Sequence, residues 1–492
     1  MAEQPPFAQP RLPYAPTRAV SDDELEAIHL ASLRVLRDTG MDFLHDEARR
    51  LLAEAGCDVD GERVRFDPDL VLELVSSAPS EFVLHGRSPE RDLRVGGNWL
   101  TFSSVASAPH IVDRATGRRT GDRAGYQTLL KLCQMLSAIH TIPGYPVEPV
   151  DLHASIRHLE ATWDALTLTD RSFHVYSLGR QRNLDAIEMV RIARGVTDDD
   201  LDDQPSITSV INANSPLKYD TPMLEGMIQL ARRNQVLIVT PFTLAGAMAP
   251  ITLAGALVQQ NAEALAGIAF TQVVRAGAPV VYGGFTSNVD MRSGSPAFGT
   301  PEYAKACLVG GQLARRYRLP YRSSNVSASN ALDAQAGYES VWALWGAVMG
   351  GVNWLQHGAG WMEGGLHASA EKLVIDADLL QMVAAFLAPL DVSEDALAVD
   401  TIAEVGPGGH FFGGAHTQRR YQTEFFSPLV SDWRNWEAWE EAGAPDAAER
   451  AGRIVDEFLA AYEPPPMADD TRDELREFVD RRIAEGGVDT DF

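Results

Sequence analysis

Short apolar runs and longer runs with helical spacing alternate along the second third of the chain. The short runs predict strands, and the amphipathic or apolar stretches between them predict helices. The predicted strands cover residues 173–177, 207–213, 236–241, 279–284, 321–326 and 352–357. The predicted helices cover residues 222–234, 251–275, 301–318 and 334–349. Apolar strands that are separated by helices indicate a parallel sheet with helices on its faces.

The repetition of strand and helix favours an α/β fold of the (β/α)8 TIM-barrel type, with an open doubly wound sheet as the alternative. An open nucleotide-binding sheet would carry a phosphate loop. Neither G-x-G-x-x-G after the first strand nor G-x-x-x-x-G-K-[ST] occurs in the sequence. The glycine-rich stretch 406–409 is interpreted as a lid or turn, because no helix clearly begins after it.

The barrel is expected over residues 99–433, with additions at both ends. A Pro-rich arm over 1–20 precedes an N-terminal helical cap over 21–98, and a C-terminal helical tail follows over 434–492. Ser21 and Glu24 have the spacing of a capping box at the start of the first helix. Further helices are predicted at 45–55 and 68–77, with short strands at 82–85 and 93–95.

The chain of 492 residues is acidic, with a formal charge of −26 at pH 7. Phosphate binding needs clustered Lys and Arg, so no nucleic-acid partner is expected. No apolar run of about 18 residues is present to span a membrane, and the N-terminus lacks the apolar core of a secretory signal. The sequence therefore predicts a cytoplasmic protein, and its acidity weakly favours a cationic substrate.

Neither a disulfide framework nor a metal site is expected. Cys57, Cys133 and Cys307 lie far apart in helix-like segments and are interpreted as buried apolar residues. His410 and His416 have no nearby Cys or paired carboxylates. The stretch around His153 partly copies the D-x-H-x-x-G signature of corrinoid domains, but its last position is isoleucine, so the chain is not expected to carry its own corrinoid.

Polar side chains are concentrated where the predicted strands end, which is where parallel barrels bind their substrates. They are Asn212, Asn214, Thr240, Thr243, Ser287, Ser324, Asn325, Gln356 and His357. Amides and hydroxyls hold a substrate by hydrogen bonds, and no nucleophile with an adjacent base is evident. Aromatic residues are close to the same ends: Tyr282, Phe285, Trp354, Trp361, Phe411 and Phe412. Rings that face a polar pocket can bind a quaternary ammonium, although rings in strands and helices more often belong to a core.

His357 is the most prominent single candidate, because it ends a buried strand and precedes small residues that leave room for a ligand. The alternative is a histidine whose polar atoms are satisfied by the backbone. Glu363 and Glu339 are the carboxylates expected to lie nearest to it, and Glu339 has the alternative of a helix-start charge.

Four segments resemble the trimethylamine methyltransferase family: residues 243–284, 333–340 (DAQAGYES), 357–378 (HGAGWMEGGLHASAEKLVIDAD) and 406–433. The resemblance extends over nearly the whole chain. It implies a barrel that presents a methylated amine to a separate corrinoid protein, whose cobalt(I) takes the methyl group. It also implies that no cofactor is bound by the chain itself.

With this resemblance, His357, Glu363 and Glu339 are the expected catalytic residues. The expected substrate-binding residues are Gln335, Tyr338, Asn325, Tyr282, Trp361, Phe411 and His416. The archaeal members of the family carry pyrrolysine, whereas this chain has only standard residues and so resembles the non-pyrrolysine branch, which includes enzymes for glycine betaine and other quaternary amines. The family's substrate-facing segment reads TFSSVASA at 101–108 here, so no contact is carried over from it.

Three questions stay open at this point. The methyl donor could instead be a sulfonium or methoxy compound, or the acceptor could be something other than a corrinoid. The chain could also be a barrel that binds a methylated amine without catalysis. A homo-oligomer is expected, since barrels of this kind commonly pair through exposed helices.

Overall fold

A curled, wholly parallel sheet of seven strands forms the centre of the protein in the computed structural model, which describes residues 3–114 and 116–489. Its strands are Thr101–Ser104, Phe173–His174, Ile207–Ile211, Val236–Val239, Val280–Gly283, Tyr321–Ser324 and Trp354–Ala359. Apart from the first, which lies beside the last, they are neighbours in chain order. The parallel sheet predicted from the alternating pattern is confirmed, and its order is not that of a doubly wound sheet.

Helices connect successive strands and cover the outside of the sheet. They are Arg123–Met135, Arg157–Leu168, Arg180–Arg194, Thr221–Arg232, Leu253–Val274, Pro301–Arg316, Ala334–Met349 and Ala370–Leu387, with a short helix Asp198–Asp203. The helix Leu253–Val274 is buried on nearly every side, which explains why its sequence is apolar all round. The predicted strands and helices are confirmed with ends that differ by a few residues.

The two edges of the curled sheet approach one another at Thr141. Parallel bridges join Thr141 to Ser103 of the first strand and to Ser172, which precedes the second strand. The His140 amide donates to the Phe102 carbonyl over 2.8 Å beside this bridge. A single bridging residue therefore occupies the gap between the edges.

The N-terminal region combines helices with a small sheet, so the predicted helical cap also carries strands. Its helices are Asp22–Arg34, Val35–Thr39, Asp46–Glu54 and Pro68–Ser76. Strands Met41–Phe43, Asp58–Asp60 and Arg63–Arg65 form one sheet with Lys218–Tyr219. The predicted capping box is confirmed, since Ser21 and Glu24 exchange both hydrogen bonds. The first two residues of the predicted arm and the last three of the predicted tail lie outside the described residues.

A hairpin of strands Glu81–Leu84 and Leu93–Gly96 fills the amino end of the sheet. Its Leu84, Leu93 and Val95 pack in one apolar cluster with sheet residues. The sheet residues of that cluster are Val236, Ile238, Val281 and Trp354, of which the first and last begin their strands. The carboxyl ends of the strands are thus the end that is left for a site.

Additional short strands build a rim around the carboxyl end. One group is Phe242–Ala245, Phe285–Val289 and Pro296–Ala297, and another is Trp361–Met362, His367–Ser369, His110–Asp113 and Gly117–Thr120. Strands of both groups begin only a few residues after a barrel strand: Phe242, Phe285, Trp361 and His110 follow strands that end at Val239, Gly283, Ala359 and Ser104. The rim therefore places loop residues directly above the sheet.

The chain beyond the last barrel helix forms an exposed arm, residues 388–436, and then two helices that return to the barrel. Short helices Glu394–Leu397, Val399–Val405 and Ala415–Arg420 lie within the arm, and Trp436–Glu441 begins at its end. A 3-10 turn, Glu363–Gly365, lies before the last barrel helix. The last helices are Ala447–Ala461 and Asp469–Ala484. Arg476 and Arg482 of the final helix pair with Glu160 at 3.1 Å and Asp185 at 2.8 Å.

Most of the large apolar side chains exposed on the described surface lie on the arm and on the nearby helix Ala334–Met349. Trp342 and Trp345 of that helix are each about half exposed. The expectation that copies of the chain pair through such surfaces stays a prediction. Within residues 3–114 and 116–489, no helix has the length and apolar character that a membrane crossing requires. Cys57, Cys133 and Cys307 are buried, as predicted.

Candidate active site

A cavity of about 580 Å³ lies at the carboxyl ends of the strands. Its wall includes His174, Tyr176, Asn212, Thr240, Phe242, Phe285, Arg322, Gln356, His357 and Trp361. Leu178 and Leu366 also line it and are 41% and 50% exposed, so the cavity reaches the protein surface. A polar wall with aromatic faces is typical of a site that binds a small molecule.

His357 lies in this wall with an unusual backbone conformation. Its φ is +55°, in the left-handed region that residues other than glycine rarely adopt. The Nδ1 atom lies 3.3 Å from Ser324 Oγ on the neighbouring strand. The imidazole packs on Trp361 with ring centres 4.1 Å apart. Strain of this kind is often found at functional sites, because the surrounding structure holds the residue in place for its role.

Three aromatic rings form one wall of the cavity, which we call the aromatic wall: Phe242, Phe285 and Trp361. The Phe285 ring centre lies 5.0 Å from that of Phe242 and 6.0 Å from that of Trp361. It also meets His357 edge-on at 6.1 Å. The rings of the wall are tilted toward one another, and such contacts between aromatic rings add to the stability of their packing.

The turn between His357 and Trp361 is fixed from behind by a buried ion pair. The Gly360 amide donates to Asp376 Oδ2 over 2.9 Å, and Lys372 pairs with the other oxygen of Asp376. Gly360 has φ +98°, and a Cβ atom there would lie 2.9 Å from Val105 Cγ1. A glycine is therefore required at the point where the chain turns toward the aromatic wall.

The two histidines of the cavity are neutral at neutral pH. Burial lowers the pKa of His174 to about 3. Burial, the Arg322 guanidinium and His174 together hold the pKa of His357 well below its ordinary value. The wall thus offers uncharged imidazoles, which can donate or accept hydrogen bonds but do not repel a cation as an imidazolium would.

Arg322 is one of the wall residues that the sequence did not indicate, together with His174, Tyr176 and Phe242. It is 2% exposed, and its Nη1 donates to the Gly284 carbonyl over 3.2 Å. Its guanidinium carbon lies 5.1 Å from the centre of the Phe285 ring. The sequence feature that could have indicated Arg322 is the period of two along a strand. Arg322 is two residues before Ser324, a predicted strand-end residue, so both side chains face the same side of the sheet.

Two of the predicted substrate-binding residues are buried behind the cavity wall. Tyr282 donates its hydroxyl proton to Asn261 Oδ1 over 3.0 Å, and so faces a covering helix. Asn325 donates from Nδ2 to the Gly358 carbonyl over 2.9 Å. Neither residue belongs to the cavity lining. Asn325 instead supports the strand end that carries His357.

Glu339, Gln335 and Tyr338 lie at the start of the helix Ala334–Met349, away from the cavity lining. The Glu339 carboxylate accepts from Ser327 Oγ and the Ala328 amide, both at 2.8 Å, and from Gln335 Nε2 at 2.8 Å. It clamps the loop before the helix. Tyr338 is exposed on the outer face of the helix.

Glu363 lies next to the cavity but turns away from it. Its carboxylate pairs with Arg118 at 3.0 Å and with His367 Nδ1 at 2.9 Å. These contacts fix the rim strands, and it is the following residues, from Gly364 to Leu366, that line the cavity.

Phe411 and His416 lie on the exposed arm, outside the cavity lining. His416 Nε2 is 2.9 Å from the Asp395 carbonyl of the same arm. Of the predicted site residues, the structure therefore brings His357 and Trp361 together in the wall, and the roles of all of them stay predictions.

The described residues contain no cluster of three or more His, Cys, Asp or Glu side chains that could hold a metal ion. His153, in the partial corrinoid signature, is exposed and lies 2.8 Å from Ser155 Oγ.

Acid is expected to destabilise the protein as the pH falls from 6.5 to 4.5, a range that lies above the ordinary pKa of a carboxylate. Burial lowers the pKa of His140 and of His174 from 6.5 to about 3. These residues and His357 stay neutral when folded but gain protons in the unfolded chain below pH 6.5, so stability falls as pH falls. Glu148 has the opposite effect on the pH dependence of stability. Burial raises its pKa to about 7, so its contribution to the free energy of unfolding falls as pH rises above 4.5. For these four groups the net difference is about two protons, or roughly 2.7 kcal/mol per pH unit at its limit.

Urea unfolding at a series of pH values measures this slope. The variant His140→Asn should lower it by about one proton, because an amide does not titrate there. A free energy of unfolding that stayed constant from pH 6.5 to 4.5 would contradict the assignment of neutral buried histidines.

The sequence matches the family described as trimethylamine methyltransferase (MTTB) over residues 2–487. The chain belongs to this family. A glycine betaine methyltransferase of Desulfitobacterium hafniense (strain Y51) is 34% identical over 469 residues, which cover 95% of this chain and 98% of that protein. A trimethylamine methyltransferase MttB of the same species (strain DSM 10664 / DCB-2) is 31% identical over 474 residues. The resemblance inferred from four segments is confirmed, and the chain is a methyltransferase.

Solved structures support the fold of this trimethylamine methyltransferase family member. The monomethylamine methyltransferase (MtmB) of Methanosarcina barkeri superimposes with a TM-score of 0.52 over 94% of this chain and 89% of that one, at 11% identity. The structure of the hydroxylamine complex of MtmB gives a TM-score of 0.53 over the same shares. At this identity the likeness concerns the fold alone.

Proposed function

We propose that the chain moves a methyl group from a quaternary methylated amine to the cobalt(I) of a separate corrinoid protein. The observation that carries this proposal is the cavity with its aromatic wall, which reaches the surface at the carboxyl ends of the strands. Rings that face a cavity attract a quaternary ammonium, with about 0.5–2 kcal/mol for each ring. A relative that is named for glycine betaine supports a quaternary donor, and a relative named for trimethylamine supports methylated amines as the wider class.

The corrinoid would supply a cobalt nucleophile that attacks the methyl carbon. In that displacement the carbon–nitrogen bond breaks, its electron pair stays on nitrogen, and a quaternary amine leaves as a neutral tertiary amine. No proton has to be delivered to the leaving group. This requirement agrees with a wall in which His174 and His357 are neutral and the carboxylates Glu339 and Glu363 point elsewhere.

The part of the chain in this reaction is to bind and orient the amine. Trp361 and Phe285 would contact the methylated nitrogen, and His357, which is held by Ser324 and Trp361, would limit how it turns. Asn212 is exposed at the rim and Gln356 is buried deeper in the wall, so amide groups are available to the rest of the donor. Holding reacting groups in one geometry lowers the entropic part of the barrier.

The cavity mouth fits a partner that brings its own cofactor. Exposed Leu178 and Leu366 stand at the surface end of the cavity, and they would border the docked corrinoid protein. We infer further that the sheet closes as a (β/α)8 barrel, in which the segment around Thr141 serves as the eighth strand. The parallel bridges from Thr141 to both sheet edges support this closure.

Purified protein, mixed with reduced corrinoid protein and a panel of methylated amines, tests the reaction. We expect the absorbance of the methylated corrinoid to grow with at least one quaternary amine. The variant Leu30→Ala, which alters an exposed residue of the first helix away from the cavity, should react at the unchanged rate. An absence of methyl transfer with every quaternary amine would overturn the proposal, and tight binding without turnover would indicate a binding protein instead.

A further inference from the structure

Arg322 is a buried cation with no anionic partner among the residues that the structure describes. The hydrogen bond described for its guanidinium is the one from Nη1 to the Gly284 carbonyl, and Nε is buried with no acceptor. The ionisable groups that act on it are Tyr303, Tyr321 and Cys307. Burial raises the pKa of each of these three groups, so all are uncharged at neutral pH.

The guanidinium itself remains charged. Burial lowers its pKa only to about 10, so it is protonated at neutral pH. Among the described residues that line the cavity there is no Asp or Glu. An uncompensated buried charge is strongly unfavourable, and proteins that keep one usually supply a counter-charge. In this cavity the counter-charge has to come from what enters it.

We propose that Arg322 binds a carboxylate of the methyl donor, so that the cavity selects zwitterionic quaternary amines over purely cationic ones. This proposal rests on the proposed function, since it assigns the donor's second charge. A carboxylate matches the planar guanidinium, which can donate two parallel hydrogen bonds to it. An ammonium compound with no anion would instead bring a second positive charge next to Arg322.

The positions of the rings fit a donor that carries both charges a short distance apart. The Arg322 guanidinium lies 5.1 Å from the centre of the Phe285 ring, and that ring lies 6.0 Å from Trp361. A small molecule can therefore place its carboxylate on Arg322 and its trimethylammonium group against Trp361. His357 stands between these faces, in contact with both rings.

Calorimetric binding of two matched ligands to the intact protein tests this proposal without turnover. The first is glycine betaine, and the second is its amide, which has the same trimethylammonium group and nearly the same shape but no anion. We expect the betaine to bind roughly 10- to 100-fold more tightly than the amide, because hydrogen bonds to a charged group contribute affinity of that size. Equal affinity for the two ligands would overturn the assignment.

The variant Arg322→Met removes the charge and keeps much of the volume. It should abolish the preference for the betaine while its affinity for the amide stays the same or rises. Arg322→Lys keeps the charge but loses the fork of donors, so it should retain part of the preference. An Arg322→Met protein that still prefers the betaine would refute the proposal. If that variant does not fold, the affinities of the unaltered protein and of Arg322→Lys for the two ligands still test the proposal.

The failure of this proposal is distinct from the failure of the proposed function. Methyl transfer from the amide but not from the betaine would refute the role of Arg322 and leave the reaction intact. A betaine preference that depends on Arg322, together with no methyl transfer from any amine, would refute the reaction and leave the carboxylate site intact.

Discussion

Replacing Lys372 with methionine is expected to lower the free energy of unfolding by about 3–5 kcal/mol, because the change leaves a buried carboxylate without its partner. Lys372 and Asp376 have side chains that are each 1% exposed, and they pair directly. Lys372 also donates to Ser340 Oγ over 2.7 Å. Urea unfolding at pH 7, with the slope of the transition checked against the unaltered protein, measures the loss.

The double variant Lys372→Met, Asp376→Leu is the matched control. With both charges gone, most of the lost stability should return, because an apolar pair of similar size is often as stable as a buried ion pair. The double variant should nevertheless be a poor enzyme, since Gly360 loses the acceptor that fixes the turn to Trp361. A single variant within about 1 kcal/mol of the unaltered protein would contradict the buried pair.

Replacing Trp361 with alanine is expected to reduce kcat/KM for methyl transfer by roughly 100-fold. The change removes a ring that would attract the ammonium and the surface on which His357 is packed. Initial rates over a range of amine concentrations, at one fixed and non-inhibitory concentration of the corrinoid protein, measure the effect.

Two controls separate this loss from a general effect of removing a tryptophan. Trp361→Phe keeps a ring at the same place and should lose less than about tenfold. Trp345→Ala removes a half-exposed tryptophan on the outer face of its helix and should leave the rate unchanged. Equal losses for Trp361→Ala and Trp361→Phe would show that the ring does not act through its aromatic face.

Periodicity sufficed to predict the elements that build the sheet. The helix Ala334–Met349 begins and ends at the predicted residues. The strand ends were less accurate: the last strand continues past His357 to Ala359 because a rearranged register keeps it paired with the first strand. The bridges of Thr141 to both edges of the sheet could not be predicted from the sequence. A single bridging residue produces neither the two-residue period of a strand nor the 3.6-residue period of a helix.

The site was predictable where it depends on the position of a strand end and unpredictable where it depends on side-chain direction. His357 and Trp361 follow a buried strand, and both line the cavity. Glu339 is close in sequence to the same region, but unpaired loop amides draw its carboxylate away. Arg322 could have been found by counting two residues back from Ser324. Its position within the predicted strand 321–326 was instead taken as part of a buried strand.

The hairpin Glu81–Leu84 and Leu93–Gly96 closes the end of the sheet opposite the cavity, because its two leucines pack there against sheet residues. In the proposed reaction, a macromolecular partner docked at the cavity mouth covers the path past Leu178 and Leu366 by which small molecules enter. The steps then follow a compulsory order: the amine enters first, and the demethylated amine departs only after the partner has left. A large excess of partner should therefore slow turnover at low amine concentration, as in dead-end inhibition.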